Sequence, residues 1–167
     1  ATSNSAALES LRAAVFARQP LDPNDNSIWA HFRREVRTLI LTGNVQRFLR
    51  WKPIRVAMFA DGEQRIYTEY RELVTSTNWS SVWQRVTREH PHGAPVPFWY
   101  DRGTSGNSLH QAYHTKRFWD ATGRPAWSYS TVVEFGGGYG CMARVMRAAG
   151  QHGVYAIFDL PVFAALK

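Results

Sequence analysis

The sequence predicts an α/β protein in which a helix-rich N-terminal region precedes a single β-α-β unit. Two observations predict this fold class. Before Gly123, apolar residues recur at the three- and four-residue spacing of amphipathic helices. From about residue 130 the pattern becomes a β-branched run, a glycine-rich loop, a helical pattern and a second apolar run. A strand, a helix and a strand in this order predict a parallel pair joined by a crossover.

The first helices follow from spacing and capping residues. One is predicted over residues 3–19, before the segment 20–26, whose prolines interrupt it. The next is predicted over 27–44, with Asn26 or Ser27 as its N-cap. Six apolar residues share one face of this second helix: Ile28, Trp29, Phe32, Val36, Leu39 and Ile40.

Four shorter segments complete the N-terminal region. A short helix is predicted over 45–51, and the apolar run 54–60 fits either a strand or a buried helix because it is too short for periodicity to decide. Amphipathic helices are predicted over 63–76 and 78–90.

The main internal boundary is predicted within 91–107, which is rich in proline and glycine. It divides the chain into a helix-rich N-terminal region, 1–102, and a second region, 103–167. The second region is predicted to begin with a helix that Ser108 caps and that ends near Thr122.

The composition indicates a globular chain. Of its 167 residues, 44% are hydrophobic and 14% aromatic, which is enough apolar surface to offset the entropy of folding. The single cysteine, Cys141, excludes an intrachain disulfide and is compatible with the cytoplasm, where we expect the protein. No window reaches the ~18 apolar residues of a membrane span. A net charge of +7 favours an anionic partner.

The stretch "VVEFGGGYGCMARVM", 132–146, fits a dinucleotide-binding loop in one register. Gly138, Gly140 and Ala143 satisfy G-x-G-x-x-A, and Asp159 follows at about 20 residues, where an acid that binds ribose is expected. Such a loop admits a ligand close to the backbone, and the helix that follows offers free N–H groups to an anion.

A second register of the same loop begins with an acid. Glu134 precedes Gly136, Gly138 and Gly140 in the pattern E-x-G-x-G-x-G. A carboxylate in this position opposes a pyrophosphate but favours a ligand with an ammonium and a sulfonium group. S-adenosylmethionine carries both groups, so spacing alone leaves two cofactor classes open.

At this point the sequence resembles a known family. "VVEFGGGYGCMARV" followed by "YAIFDLPVF" is similar to motif I and to the second-strand acid of class I S-adenosylmethionine-dependent methyltransferases. "DLP" after the second strand is similar to small-molecule O-methyltransferases. The upstream helix "GNSLHQAYHTKRFWDATG" resembles that of bacterial putative sugar O-methyltransferases. The resemblance covers 103–167.

The resemblance implies a Rossmann-like domain that binds S-adenosylmethionine and methylates a sugar, a glycan or a sugar-containing small molecule. It implies that Glu134 orients the loop and the methionine ammonium, and that Asp159 accepts hydrogen bonds from the ribose hydroxyls. The loop residues that it implies for cofactor binding are Gly136, Gly137, Gly138 and Gly140.

Methyl transfer to a hydroxyl group requires a base, and the candidates are His110 and His114, one helical turn apart. The pair lacks a third metal ligand and the glutamate of a zinc-protease helix, so no metal site is predicted.

The resemblance also implies a larger sheet than two strands. The 167 residues are therefore expected to be an N-terminal fragment with an incomplete Rossmann-like domain, inactive alone. Its exposed sheet edge is expected to favour a homo-oligomer.

Two other functions remain open from the sequence. The first is RNA binding or RNA methylation, because aromatic residues at 29 and 51 lie among basic residues. These basic residues are Arg33, Arg34, Arg37, Arg47, Arg50, Lys52 and Arg55. The second is a non-catalytic helical interaction module whose glycine loop binds nothing.

Overall fold

The computed structural model describes residues 2–17, 25–60 and 62–166, and it has a mixed α/β fold. Of the break predicted over 20–26, residues 20–24 lie outside the described residues. The described residues form the α-helices α1 Thr2–Ala17, α2 Ile28–Thr42, α3 Lys52–Met58, α4 Glu63–Val74, α5 Gln84–Val86, α6 Gly106–Thr122, α7 Cys141–Ala149 and α8 Pro161–Ala164. The strands are β1 Thr131–Phe135 and β2 Val154–Phe158.

The second helix, α2, confirms the predicted caps. The Oγ of Ser27 accepts a hydrogen bond from the Ala30 N–H at 3.1 Å, and Gly43 ends the helix. In the first turn of the predicted apolar face, Ile28 and Trp29 are exposed, although the ring of Trp29 lies 6.3 Å from that of the core residue Phe163.

The ambiguous run 54–60 is helical for most of its length, as part of α3. A 3₁₀ turn, Val45–Arg50, precedes it, and Pro53 lies in its first turn, where its fixed φ angle favours a helix. The helix predicted over 78–90 is shorter and irregular, because it opens with the π-helical turn Trp79–Trp83.

The helix α6 begins three residues earlier than Ser108 suggests. Its N-cap is Ser105, whose Oγ accepts a hydrogen bond from the Ser108 N–H at 3.2 Å. The prediction that Ser108 caps the helix is wrong because its side chain is buried and donates to the carboxylate of Glu89. The predicted end is confirmed, since Gly123 is left-handed and bonds to the carbonyl of Trp119.

The strands β1 and β2 form a parallel pair, as predicted, and α7 connects them. The register aligns Thr131 with Val154 and Phe135 with Phe158. Parallel pairing brings the carboxyl ends of both strands to the same edge, where the glycine loop begins.

Two hydrophobic cores hold the helices against this unit. The first joins α1, α2, α3 and α8, and its most buried members are Val36, Ile40, Ile54 and Phe163. The second joins α4, α6, α7 and the π-helical turn around Leu73, Trp83, Leu109 and Val145. Both cores contain residues from each side of position 102, and the domain boundary stays a prediction. In the described part of the chain, no helix is long and apolar enough to cross a bilayer.

Among the described residues, none covers one face of the two-stranded sheet. Phe135 is 79% exposed and Phe158 is 57% exposed, and their rings stack at 5.3 Å. Parallel sheets are ordinarily covered on both faces, so this apolar surface favours contact with another chain.

We therefore expect Phe135→Ser to reduce self-association. In light scattering, the average molar mass of this variant should rise less with protein concentration than that of the unaltered protein. Phe118→Ser, at an exposed phenylalanine of α6, is the control and should leave the mass unchanged. A monomeric unaltered protein at high concentration would contradict this expectation.

Candidate functional site

A cavity of about 780 Å³ lies at the carboxyl ends of the two strands. The loop after β1 and the residues after β2 supply part of its lining, and α2, α3, α4 and α6 supply much of the remainder. Most of the residues predicted to bind a cofactor line it, namely Glu134, Gly136, Gly137, Gly138 and Asp159. Gly140 lies at the N-cap of α7.

The glycine loop has the backbone that its composition predicts. Gly136, Gly138 and Gly140 have φ angles of 72°, 55° and 82°, which residues other than glycine rarely adopt. At Gly137 the requirement is a close approach, since an added Cβ would lie 2.6 Å from the side chain of Ile157. At Gly136 an added Cβ would meet no described atom within 4 Å, so that part of the loop faces open space.

Glu134 is oriented from the neighbouring strand. The hydroxyl of Tyr155 donates a hydrogen bond to Oε2 of Glu134 at 3.0 Å. Burial and the adjacent negative charge of Glu134 raise the pKa of Tyr155 well above its ordinary value, so the phenol remains a donor. The carboxylate is thereby held against the glycine loop.

Asp159 follows β2 directly. Its Oδ1 accepts a hydrogen bond from the N–H of Leu160 at 2.7 Å, which fixes the carboxylate where the chain turns into α8. Asp159 also lines a second cavity of about 350 Å³, to which Arg33 and Arg37 of α2 contribute.

Asn107 is a buried residue that the sequence did not single out, and it ties the glycine loop to the N-terminal helices. Its Oδ1 accepts from the N–H of Ala60 at 2.8 Å. Its Nδ2 donates to the carbonyl of Met58 at 3.0 Å and to the hydroxyl of Tyr139 at 2.9 Å. The side chain therefore fixes the end of α3 and the loop residue Tyr139 relative to each other.

Tyr139 points away from the sheet into the helical region. Its ring stacks on Phe59 at 6.0 Å, and burial raises its pKa far above the ordinary value, so the phenol is neutral. The neighbouring thiol of Cys141 is buried, and burial raises its pKa too. A helix N-terminus favours a thiolate, but at Cys141 the effect of burial is larger.

The two candidate catalytic histidines differ in position. His110 lines the cavity, and its Nδ1 lies 2.9 Å from both carboxylate oxygens of the buried Glu69 of α4. His114 is exposed, and its Nε2 lies 3.1 Å from Nε2 of His110. Partial burial and the neighbouring His110 lower the pKa of His114. The one-turn spacing in the sequence predicted both histidines as candidates, but it gave no indication of Glu69.

The described residues contain no group of three or more His, Cys, Asp or Glu side chains arranged to hold a metal ion.

Several of the basic residues considered for RNA binding contact the protein itself. Arg33 and Arg34 bind Asp25 through its carboxylate and its carbonyl, respectively. Arg50 donates to a loop carbonyl at 3.0 Å, and Trp51 packs against the first core. These contacts leave fewer of the basic and aromatic groups available to a nucleic acid than the sequence suggests.

Comparison of this chain with protein families, with curated proteins and with solved structures finds no match.

Proposed function

We propose that this protein is an S-adenosylmethionine-dependent O-methyltransferase whose acceptor is a sugar or a sugar-containing small molecule, and that β1, α7 and β2 open a Rossmann-like domain. The observation that supports the cofactor most directly is that Glu134, the glycine loop and Asp159 line one cavity at the ends of two parallel strands. The sugar acceptor is supported by the sequence resemblance.

The cavity fits the proposed cofactor in size and charge. Its volume of about 780 Å³ lies within the roughly 300–1,000 Å³ common for small-molecule sites. The open space at Gly136 lets a ligand approach the backbone closely. Glu134 beside the loop disfavours a pyrophosphate and favours a positive ligand, which supports S-adenosylmethionine over a dinucleotide.

Each part of the cofactor has a complementary group in the cavity. The carboxylate of Glu134 suits the methionine ammonium, and the first-turn N–H groups of α7, which lack a side-chain cap, suit the methionine carboxylate. The carboxylate of Asp159 suits two adjacent ribose hydroxyls, which it binds through both oxygens.

When bound, the cofactor supplies an electrophilic methyl group on a sulfonium. The acceptor hydroxyl must lose a proton as it is methylated, and His110 is the base that we propose. The carboxylate of Glu69 accepts a hydrogen bond from Nδ1–H of His110, which leaves Nε2 as the acceptor nitrogen of the ring. The acceptor hydroxyl would take the place of the exposed His114 at Nε2 of His110.

Calorimetric titration of the purified chain with S-adenosylhomocysteine tests the cofactor. We expect saturable binding, and we expect Glu134→Ala and Asp159→Ala each to weaken it by about 1–3 kcal/mol, or roughly 5- to 150-fold, because each leaves polar ligand groups unpaired. Asp120→Ala, at an exposed aspartate of α6 that pairs with Lys116, should leave the affinity unchanged.

The same titration separates the alternatives. Binding of NAD without binding of S-adenosylhomocysteine would replace the proposal with the dinucleotide function. Binding of neither ligand would overturn it in favour of an interaction module.

A further inference from the structure

The first turns of α2 contribute to the same cavity as the glycine loop. Trp29 and Arg33 lie one helical turn apart on α2, and both line the cavity with Asp159. The ring of Trp29 meets that of Phe163 edge to face at 6.3 Å, and Phe163 belongs to α8, which follows Asp159. A half-exposed tryptophan thus borders the end of the cavity next to the second-strand acid.

Arg33 has a buried donor that the fold leaves unused. Its Nη2 bonds to the carboxylate of Asp25, and its side chain is only 20% exposed. Its Nε is buried and has no hydrogen-bond partner among the described residues. A buried N–H without a partner is unfavourable, so a rotation of the Arg33 side chain that turns Nε toward a ligand in the cavity would replace an unpaired donor with a charge-assisted hydrogen bond.

The position of Arg33 relative to Asp159 indicates which part of a ligand meets it. Arg33 and Asp159 line both this cavity and the second, smaller one. The proposed function assigns the methionine part to Glu134 and the glycine loop, so the purine, at the other end of the ribose, is the part left for Trp29 and Arg33 beside Asp159. Adenine presents three ring nitrogens as acceptors and two flat apolar faces.

We propose that Trp29 and Arg33 form the adenine-binding wall of the site, an inference that rests on the proposed function. Trp29 packs against the purine face, and Nε of Arg33 donates to a purine ring nitrogen. The N-terminal helical region then contributes directly to cofactor affinity, in addition to covering the sheet.

Calorimetric titrations of Arg33→Leu and Trp29→Ala with S-adenosylhomocysteine, adenosine and methionine test this wall. We expect each variant to bind S-adenosylhomocysteine and adenosine roughly 5- to 150-fold more weakly than the unaltered protein. Methionine, which has no purine, should bind the variants as it binds the unaltered protein.

Two matched controls isolate the contribution of the wall. Arg34→Leu removes the adjacent arginine, which donates to the carbonyl of Asp25, and Trp99→Ala removes an exposed tryptophan. Both should bind S-adenosylhomocysteine within about twofold of the unaltered protein. Trp29→Ala removes a half-exposed side chain, so it tests the wall even if Arg33→Leu does not fold.

The outcomes distinguish the inference from the function on which it rests. Suppose that the unaltered protein binds S-adenosylhomocysteine and that both variants, Trp29→Ala and folded Arg33→Leu, bind it with the same affinity. The adenine wall is then refuted, and the proposed function stands. If the unaltered protein does not bind S-adenosylhomocysteine, the proposed function fails and the wall fails with it.

Discussion

Replacing Asn107 with leucine is expected to destabilise the fold by on the order of 3 kcal/mol and to weaken ligand binding in the cavity. Asn107 is 2% exposed and makes three hydrogen bonds, each of which contributes about 1 kcal/mol. Leucine has a similar volume but no polar atom. The N–H of Ala60, the carbonyl of Met58 and the hydroxyl of Tyr139 would therefore lose a partner.

The effect on binding follows from where these partners lie. Met58, Ala60 and Tyr139 all line the cavity, and Asn107 fixes their relative positions across α3, α6 and the glycine loop. Leucine at this position would remove these hydrogen bonds between the glycine loop, α6 and the end of α3. We expect the affinity for S-adenosylhomocysteine to fall together with the stability.

Two further variants make this expectation quantitative in urea unfolding. Tyr139→Phe removes one of the three hydrogen bonds and should cost about 1 kcal/mol. Asn44→Leu removes the exposed N-cap that bonds to Gln46 and should also cost about 1 kcal/mol. A cost for Asn107→Leu no greater than that of Asn44→Leu would show that Asn107 does not hold the site together.

The features that the sequence predicted correctly are those set by neighbouring residues. The cap at Ser27 and the glycine at the end of α6 depend on groups within one helical turn. The parallel pairing of β1 and β2 also follows from local patterns, because two consecutive strands joined by a helix run parallel and end at the same edge.

The missed features depend on residues that are far apart in the chain. Asn107 bonds to Met58 and Ala60, and His110 bonds to Glu69, which lies 41 positions earlier. Asn107 and Glu69 are ordinary polar positions on their helices until α6 packs against the end of α3 and against α4, respectively. The wrong cap at Ser108 has the same cause, since a tertiary hydrogen bond to Glu89 turned its side chain inward.

The largest loss of stability is expected from Trp83→Ala. Trp83 is 1% exposed in the second core, and its ring lies 6.3 Å from that of Trp119 and 5.6 Å from that of Trp127. Removing a buried tryptophan leaves a cavity that neighbours fill only in part, so we expect a cost of about 3–5 kcal/mol in urea unfolding. Trp99→Ala, at an exposed tryptophan, should cost less than about 1 kcal/mol.

This substitution also tests whether the regions 1–102 and 103–167 unfold separately. Trp83 belongs to the first region, but both of its aromatic neighbours belong to the second. Because one core spans both regions, we expect amide hydrogen exchange to accelerate in α4 and in β1 by the same factor in Trp83→Ala. Faster exchange in α4 with unchanged exchange in β1 would show instead that the predicted boundary separates two independently stable domains.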